Sequence, residues 1–151
     1  KDLRLSAQPI ELGKSQVLRW GTDGAIIALG PLVEMAIAAA DQLEQHDQQV
    51  AVINARFIKP LDLELLERVF RGCKFIITLE EASLPGGFGS AVMEAACDHG
   101  WDWTRFRRLG IPDRYIEHGE RDDLLADLGI SVENLVKTCQ ALSGCSAAIG
   151  S

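Results

Sequence analysis

Histidine, tyrosine and cysteine are scarce in this chain, with three, one and four copies. No Cys-x-x-Cys occurs, and no histidine stands at ligand spacing from Cys73, Cys97, Cys139 or Cys145, so zinc has no ligand set. The scattered cysteines form no secreted disulfide framework and read as reduced thiols of a cytoplasmic protein. Positive charge is also in deficit: 15 Lys and Arg stand against 22 Asp and Glu, a net charge of −7. Such a field repels nucleic acid and anionic membrane, and neither is expected as a partner. A bound phosphate would need a local group of cations or a helix end. No apolar run approaches the ~20 residues that span a bilayer, and Lys1 to Leu5 lacks the apolar core of a signal peptide.

The nucleotide and nucleophile motifs are missing as well. Gly87-Phe88-Gly89 begins as Gly-x-Gly, but the next fingerprint position is Val92 and the loop follows a late strand rather than the first. No Gly-Lys-Ser or Gly-Lys-Thr supplies a phosphate loop, and no Gly-x-Ser-x-Gly supplies a nucleophile elbow. The glycines of 85–90 read instead as a tight strand-to-helix turn whose helix amino end faces another domain.

What remains is an ordinary globular composition, 47% hydrophobic and 25% charged over 151 residues, enough for one domain with a real core. Residues 1–24 interleave short apolar pieces with Pro9, Gly13, Gly21 and Gly24. They read as a linker and edge hairpin through which a longer protein enters this domain. Residues 25–142 then alternate strands and helices, and 143–151, small and polar, read as a disordered tail.

Three apolar runs, 25–29, 50–53 and 75–79, have the continuity of strands buried on both faces. Helical periodicity follows each: Val33, Ala36, Ile37, Ala40 and Leu43; then Leu63, Leu66 and Val69 behind an Asp62 cap; then Val92, Met93, Ala96 and Cys97. A fourth strand at 106–109 is flanked by Trp101, Trp103 and Phe106, and Glu120, Asp122 and Asp123 open a further helix. Ser131 caps a last helix with Val132, Leu135, Val136, Cys139 and Leu142 on its buried face. The alternation predicts a three-layer α/β/α domain with a mostly parallel central sheet.

In such a sheet, ligands are met by the loops that leave the carboxyl ends of the strands. The loop after Ile53 carries Arg56 and Lys59. A guanidinium offers a planar fork matched to phosphate or carboxylate. By position alone Arg56 either holds an anion or pairs with Glu80 or Glu81 at the end of the next strand. His46 and His99 sit near helix ends, where a cation suits the carbonyl dipole. His118 has no second histidine or cysteine beside it, and an acid-base role is the lesser reading.

Asn-Ala-Arg-Phe-Ile-Lys-Pro-Leu-Asp (54–62), Ile-Thr-Leu-Glu-Glu-Ala-Ser-Leu-Pro-Gly-Gly-Phe-Gly-Ser (77–90) and Leu-Gly-Ile-Pro-Asp-Arg-Tyr-Ile-Glu-His-Gly (109–119) occur in this order. Together they resemble the carboxy-terminal, transketolase-like domain of the 1-deoxy-D-xylulose-5-phosphate synthases. The likeness extends to Pro-Ile-Glu-Leu-Gly-Lys at 9–14. Ala82 and Glu117 stand where that family has Asn and Pro. The first two stretches also resemble the beta subunits of 2-oxo acid dehydrogenases, whose carboxy-terminal domain docks onto an acyltransferase core; the third resembles the synthases alone.

The resemblance implies a cytoplasmic, homodimeric transferase that uses thiamine diphosphate and Mg2+. It decarboxylates pyruvate and joins the two-carbon unit to glyceraldehyde 3-phosphate, for isoprenoid, thiamine and pyridoxal synthesis. It implies that Arg56 helps hold the aldehyde's phosphate. The cofactor motif, Gly-Asp-Gly followed later by Asn, is absent, and Gly21-Thr22-Asp23-Gly24 does not supply it. Cofactor, metal and catalytic residues therefore fall to the other domains of the same enzyme. This chain is expected to contribute a phosphate clamp and a dimer surface, and to be inactive alone.

Overall fold

The computed structural model describes residues 9–111 and 125–144. The segment from His118 through the acidic helix start at 120–123 lies outside the described residues, as does the tail from 145. Five strands form one sheet: β1 (Gln16–Arg19), β2 (Gly24–Leu29), β3 (Val50–Asn54), β4 (Ile76–Ser83) and β5 (Phe106–Ile111). The order is β1-β3-β2-β4-β5, with β3, β2, β4 and β5 parallel and β1 antiparallel on the outer side of β3. Among the described residues β1 forms no hairpin with β2, because β3 lies between them. Gln16 faces Asn54 and Val17 faces Ile53.

Strand alternation divides the core. Ile26, Ala28, Val50, Val52, Ile77 and Leu79 face a layer made by α1 (Val33–Glu44) and α4 (Val132–Leu142), where Ala36, Ala40, Leu43, Leu135, Cys139 and Leu142 are buried. Ala25, Ile27, Ala51, Ile53 and Ile76 face α2 (Leu63–Gly72) and α3 (Phe88–His99) through Leu65, Leu66, Val69, Phe88, Val92 and Ala96. Each Val, Leu, Ile or Phe side chain taken from water contributes about 1.5–3 kcal/mol, and each alanine less, so the sheet is held from both sides, as its unbroken apolar runs require.

Capping behaves as the residue types dictate. Asp62 Oδ1 accepts from Leu65 N–H at 3.1 Å, Ser131 Oγ accepts from Asn134 N–H at 3.1 Å, and Gly100 closes α3 at φ 70°. Two expectations shift. Leu63 is exposed rather than on the buried face of α2, since as the first helical residue it precedes the stripe of Leu65, Leu66, Val69 and Phe70. β4 runs on past Leu79 to Ser83, pairing Ser83 with Ile111. Trp101 and Phe106 are core, stacked around Phe70 at 5.2 and 6.1 Å, while Trp103 is exposed.

Candidate functional site

β3 is parallel to β2 and β4, so the loops after Asn54 and after Ser83 leave the same edge of the sheet. The ladder continues one step beyond β3, with Ala55 N–H donating to Ala28 O at 2.9 Å. There the chain turns. Arg56 has φ 62°, its N–H donates to Asn54 Oδ1 at 3.2 Å, and Phe57 N–H donates to Ala55 O at 2.7 Å. The last bond closes a three-residue turn with Arg56 at its centre. Asp47 is the other described non-glycine residue at positive φ, and aspartate tolerates that region through its short polar side chain. Arginine has no such local compensation, and strain of about 1–3 kcal/mol is typical of residues held this way.

The pairing of Arg56 with Glu80 or Glu81, one of the two readings open from sequence, has no support at Glu80. That carboxylate is fully buried and turned to α3, accepting from Phe88 N–H at 2.9 Å and Gly89 N–H at 2.6 Å. Glu81 is not a free carboxylate either. Among the described residues no ion pair includes Arg56 or Lys59. Arg56 is half-buried and Lys59 exposed. Two cations thus leave the carboxyl edge of the sheet with their charges uncompensated by described acids, an arrangement suited to a phosphate dianion.

The Gly-rich loop differs from its sequence reading. The first two N–H groups of α3 are not open to a ligand, because Glu80 takes both. Parity explains this: Ile76, Thr78 and Glu80 share one face of β4, the face covered by α2 and α3. Arg108 completes the turn, its Nη1 donating to Ser90 Oγ at 2.7 Å and Leu84 O at 3.3 Å, while Ser90 Oγ donates to Leu84 O at 2.6 Å. The signal available in the sequence was the even spacing from Ile76 to Glu80, read only as far as Leu79.

Two concavities lined by described residues lie near the sheet, and neither has the size and position to hold a substrate beside Arg56. Beneath the Arg56 loop, Ile27, Ile53, Phe57, Asp62 and Phe88 surround a cavity of only about 10 Å3, room for a single water. A depression of about 130 Å3 lies at the opposite end of the strands, beside Lys74, Asp102 and Arg105.

Among the described residues no acidic group is arranged to hold a diphosphate-bound magnesium ion. Asp23, in the Gly-Thr-Asp-Gly stretch, accepts from Gln49 N–H at 2.7 Å and pairs with Lys74 at 3.3 Å. Those donors, the Gln49 N–H foremost, hold its carboxyl below the usual aspartate range. Both of its oxygens are thereby committed to structure. His46 follows α1 on the surface, and His99 ends α3 with Nδ1 bonded to Ala95 O at 2.8 Å and its ring stacked on Trp101 at 4.9 Å. His99 is thus placed structurally, as its position at a helix end suggests.

Comparison with known proteins agrees with this architecture. Residues 13–135 match the family described as Transketolase, C-terminal domain. A protein named 1-deoxy-D-xylulose-5-phosphate synthase from Rhodopirellula baltica is 43% identical over 132 residues, 87% of this chain and 21% of that protein. One of the same name from Lysinibacillus sphaericus is 47% identical over 141 residues, 93% of this chain and 22% of its own length. The chain thus spans about a fifth of these curated relatives. A solved split-gene transketolase, described as an inactive beta4 tetramer, superposes with a TM-score of 0.79 at 31% identity, covering 89% of this chain and 43% of that one.

Proposed function

This chain belongs to the transketolase C-terminal domain family, and from that premise we propose that it is the carboxy-terminal domain of a 1-deoxy-D-xylulose-5-phosphate synthase in which Arg56 grips the phosphate of glyceraldehyde 3-phosphate. The observation that carries the proposal is Arg56 itself, strained at φ 62° on the ligand-facing edge of the sheet and engaged by no described acid. A bidentate guanidinium is complementary to a phosphate's oxygens and stays charged at any physiological pH. Lys59 adds positive field beside it.

Thiamine diphosphate and Mg2+ would activate pyruvate on other domains of the same polypeptide, since Asp23 is committed to Gln49 and Lys74. This domain's part is to bind and orient the aldehyde and to help exclude water when the remaining domains close over the edge. The fragment alone is accordingly inactive in this reading. The whole enzyme is a cytoplasmic homodimer, and the exposed Ile10, Leu12, Val17, Leu18 and Trp20 offer apolar surface for its contacts. The curated relatives carry synthase names, which favours this reading over the acyltransferase-docking module of a 2-oxo acid dehydrogenase.

The test is Arg56→Ala in the complete enzyme. Loss of a charge-assisted hydrogen bond to phosphate weakens use of glyceraldehyde 3-phosphate by about 1.5–3 kcal/mol in kcat/KM, with the pyruvate KM nearly unchanged. An unaltered aldehyde KM overturns the proposal.

A further inference from the structure

We infer that Ser15 and Asp62 are positioning residues for Arg56, tying the segment that enters the domain to the turn that presents the guanidinium; the inference rests on the phosphate reading of Arg56.

The turn around Arg56 depends on one carbonyl. Ala55 O accepts from Phe57 N–H at 2.7 Å, which closes the turn, and from Ser15 Oγ–H at 3.0 Å. Ala55 is buried, so water does not replace a lost donor there. Ser15 is fastened a second time through its backbone: its N–H donates to Asp62 Oδ2 at 2.9 Å. The other oxygen of the same carboxylate, Oδ1, caps α2 through Leu65 N–H. Asp62 therefore does two jobs with two oxygens, one local and one reaching 47 residues back along the chain.

Flanking contacts reinforce the junction. Gly13 lies against Pro60, where an added Cβ would stand 2.8 Å from the ring, and Lys14 Nζ is 3.5 Å from Glu64. Immediately after Ser15, Gln16 pairs with Asn54, the residue whose side chain accepts the Arg56 N–H. Residues 13–16 thus hold the start of the Arg56 turn at Asn54 and Ala55 and, at Pro60 and Asp62, the segment that follows it. A non-glycine residue at φ 62° persists only where its surroundings over-determine it. Those surroundings are the entering segment and Asp62.

The consequence is that a guanidinium placed by this junction loses its aim when the junction loosens, although the arginine is still present. The test uses the complete enzyme with glyceraldehyde 3-phosphate and pyruvate as probes. Ser15→Ala removes the hydroxyl on Ala55 O, and Ser15→Thr restores one. Asp62→Asn offers one acceptor to two donors, so one of its two bonds is broken. Ser15→Ala and Asp62→Asn are expected to raise the aldehyde KM three- to tenfold, the worth of about one hydrogen bond, while kcat and the pyruvate KM hold. Ser15→Thr recovers the wild-type value, and Ser15→Ala adds nothing in an Arg56→Ala background.

If Arg56→Ala raises the aldehyde KM and Ser15→Ala and Asp62→Asn do not, the positioning role is wrong and the phosphate reading survives. Full additivity with Arg56→Ala, or a fall in Tm accompanied by equal losses for both substrates, also overturns it. An aldehyde KM unmoved by Arg56→Ala removes both.

Discussion

Glu80 and Gly89 are joined by a 2.6 Å hydrogen bond from the Gly89 N–H to a carboxylate oxygen with no solvent exposure. The other oxygen takes the Phe88 N–H, so the buried carboxyl group accepts from both N–H groups at the positive end of α3. Glu80→Ala leaves two N–H groups at that helix end without their partner and lowers stability by about 2–4 kcal/mol. Glu80→Gln keeps one acceptor and costs less. Urea unfolding of the two variants checks this order, and a neutral Glu80→Ala would refute the capping role.

Gly89→Ala tests how tightly that turn is closed. Alanine is normally better than glycine inside a helix by about 1 kcal/mol. Here a Cβ would stand 2.5 Å from Thr78 Oγ1 and 2.9 Å from Arg108 Cγ. Overpacking of this kind costs about 1–3 kcal/mol, so the substitution is expected to destabilise. An increase in Tm would mean the turn has slack.

Arg56→Gly separates binding from folding. Glycine adopts φ 62° without a Cβ penalty, and relief of a left-handed residue is worth about 1–2 kcal/mol, partly offset by the freedom glycine gains in the unfolded chain. The variant is expected to be at least as stable as the parent while losing the aldehyde. Thermal unfolding read alongside aldehyde KM checks both halves. A Tm well below the parent's would assign the side chain a structural duty instead.

Cys139 makes stability depend on alkaline pH. Burial pushes its thiol up to about 12, and that of Cys73, whose Sγ–H donates to Gly21 O at 3.4 Å, up to about 11. Both lie above the ordinary value of 9.0 for the unfolded chain. The unfolded state therefore releases these protons first. Stability from keeping them protonated is complete below pH about 9 and is lost as pH rises through the folded values, by up to about 1.4 kcal/mol per pH unit per thiol. Urea midpoints from pH 8 to 11 should fall, and Cys139→Val should make the fall shallower. An identical slope in the variant rules the thiol out.

Thiol chemistry follows the same burial. Cys97 is exposed, whereas Cys73 is half-buried and Cys139 fully buried, and the thiolate is the reactive form. Alkylation at pH 8 with peptide mapping is expected to modify Cys97 before Cys73, and Cys73 before Cys139. Early labelling of Cys139 would contradict its placement between α1 and the sheet.

Much of this was legible in the residues, because the signals are local. Runs such as Ala25 to Leu29 and Val50 to Ile53 have no polar face, and only a strand covered on both sides accommodates them. Asp62, Ser131 and Gly100 mark helix ends by bonds or backbone angles that reach no further than a turn. Arg56 stood out because a cation directly after a buried strand must emerge at a sheet edge. The sequence by itself therefore determined the layers, the parallel core and the edge at which a ligand would be met.

Only the tertiary structure decided what sits beside what at that edge. β1 pairs with β3, a strand more than one helix away along the chain, since edge pairing is chosen by whichever backbone is left open. Glu80 turned to α3 rather than to Arg56 because the continuation of β4 to Ser83 set its parity, and Asp62 gave its second oxygen to Ser15 because β1 brought the entering segment there. Contacts between distant residues depend on how strands are ordered in space, and neither periodicity nor motif spacing encodes that order.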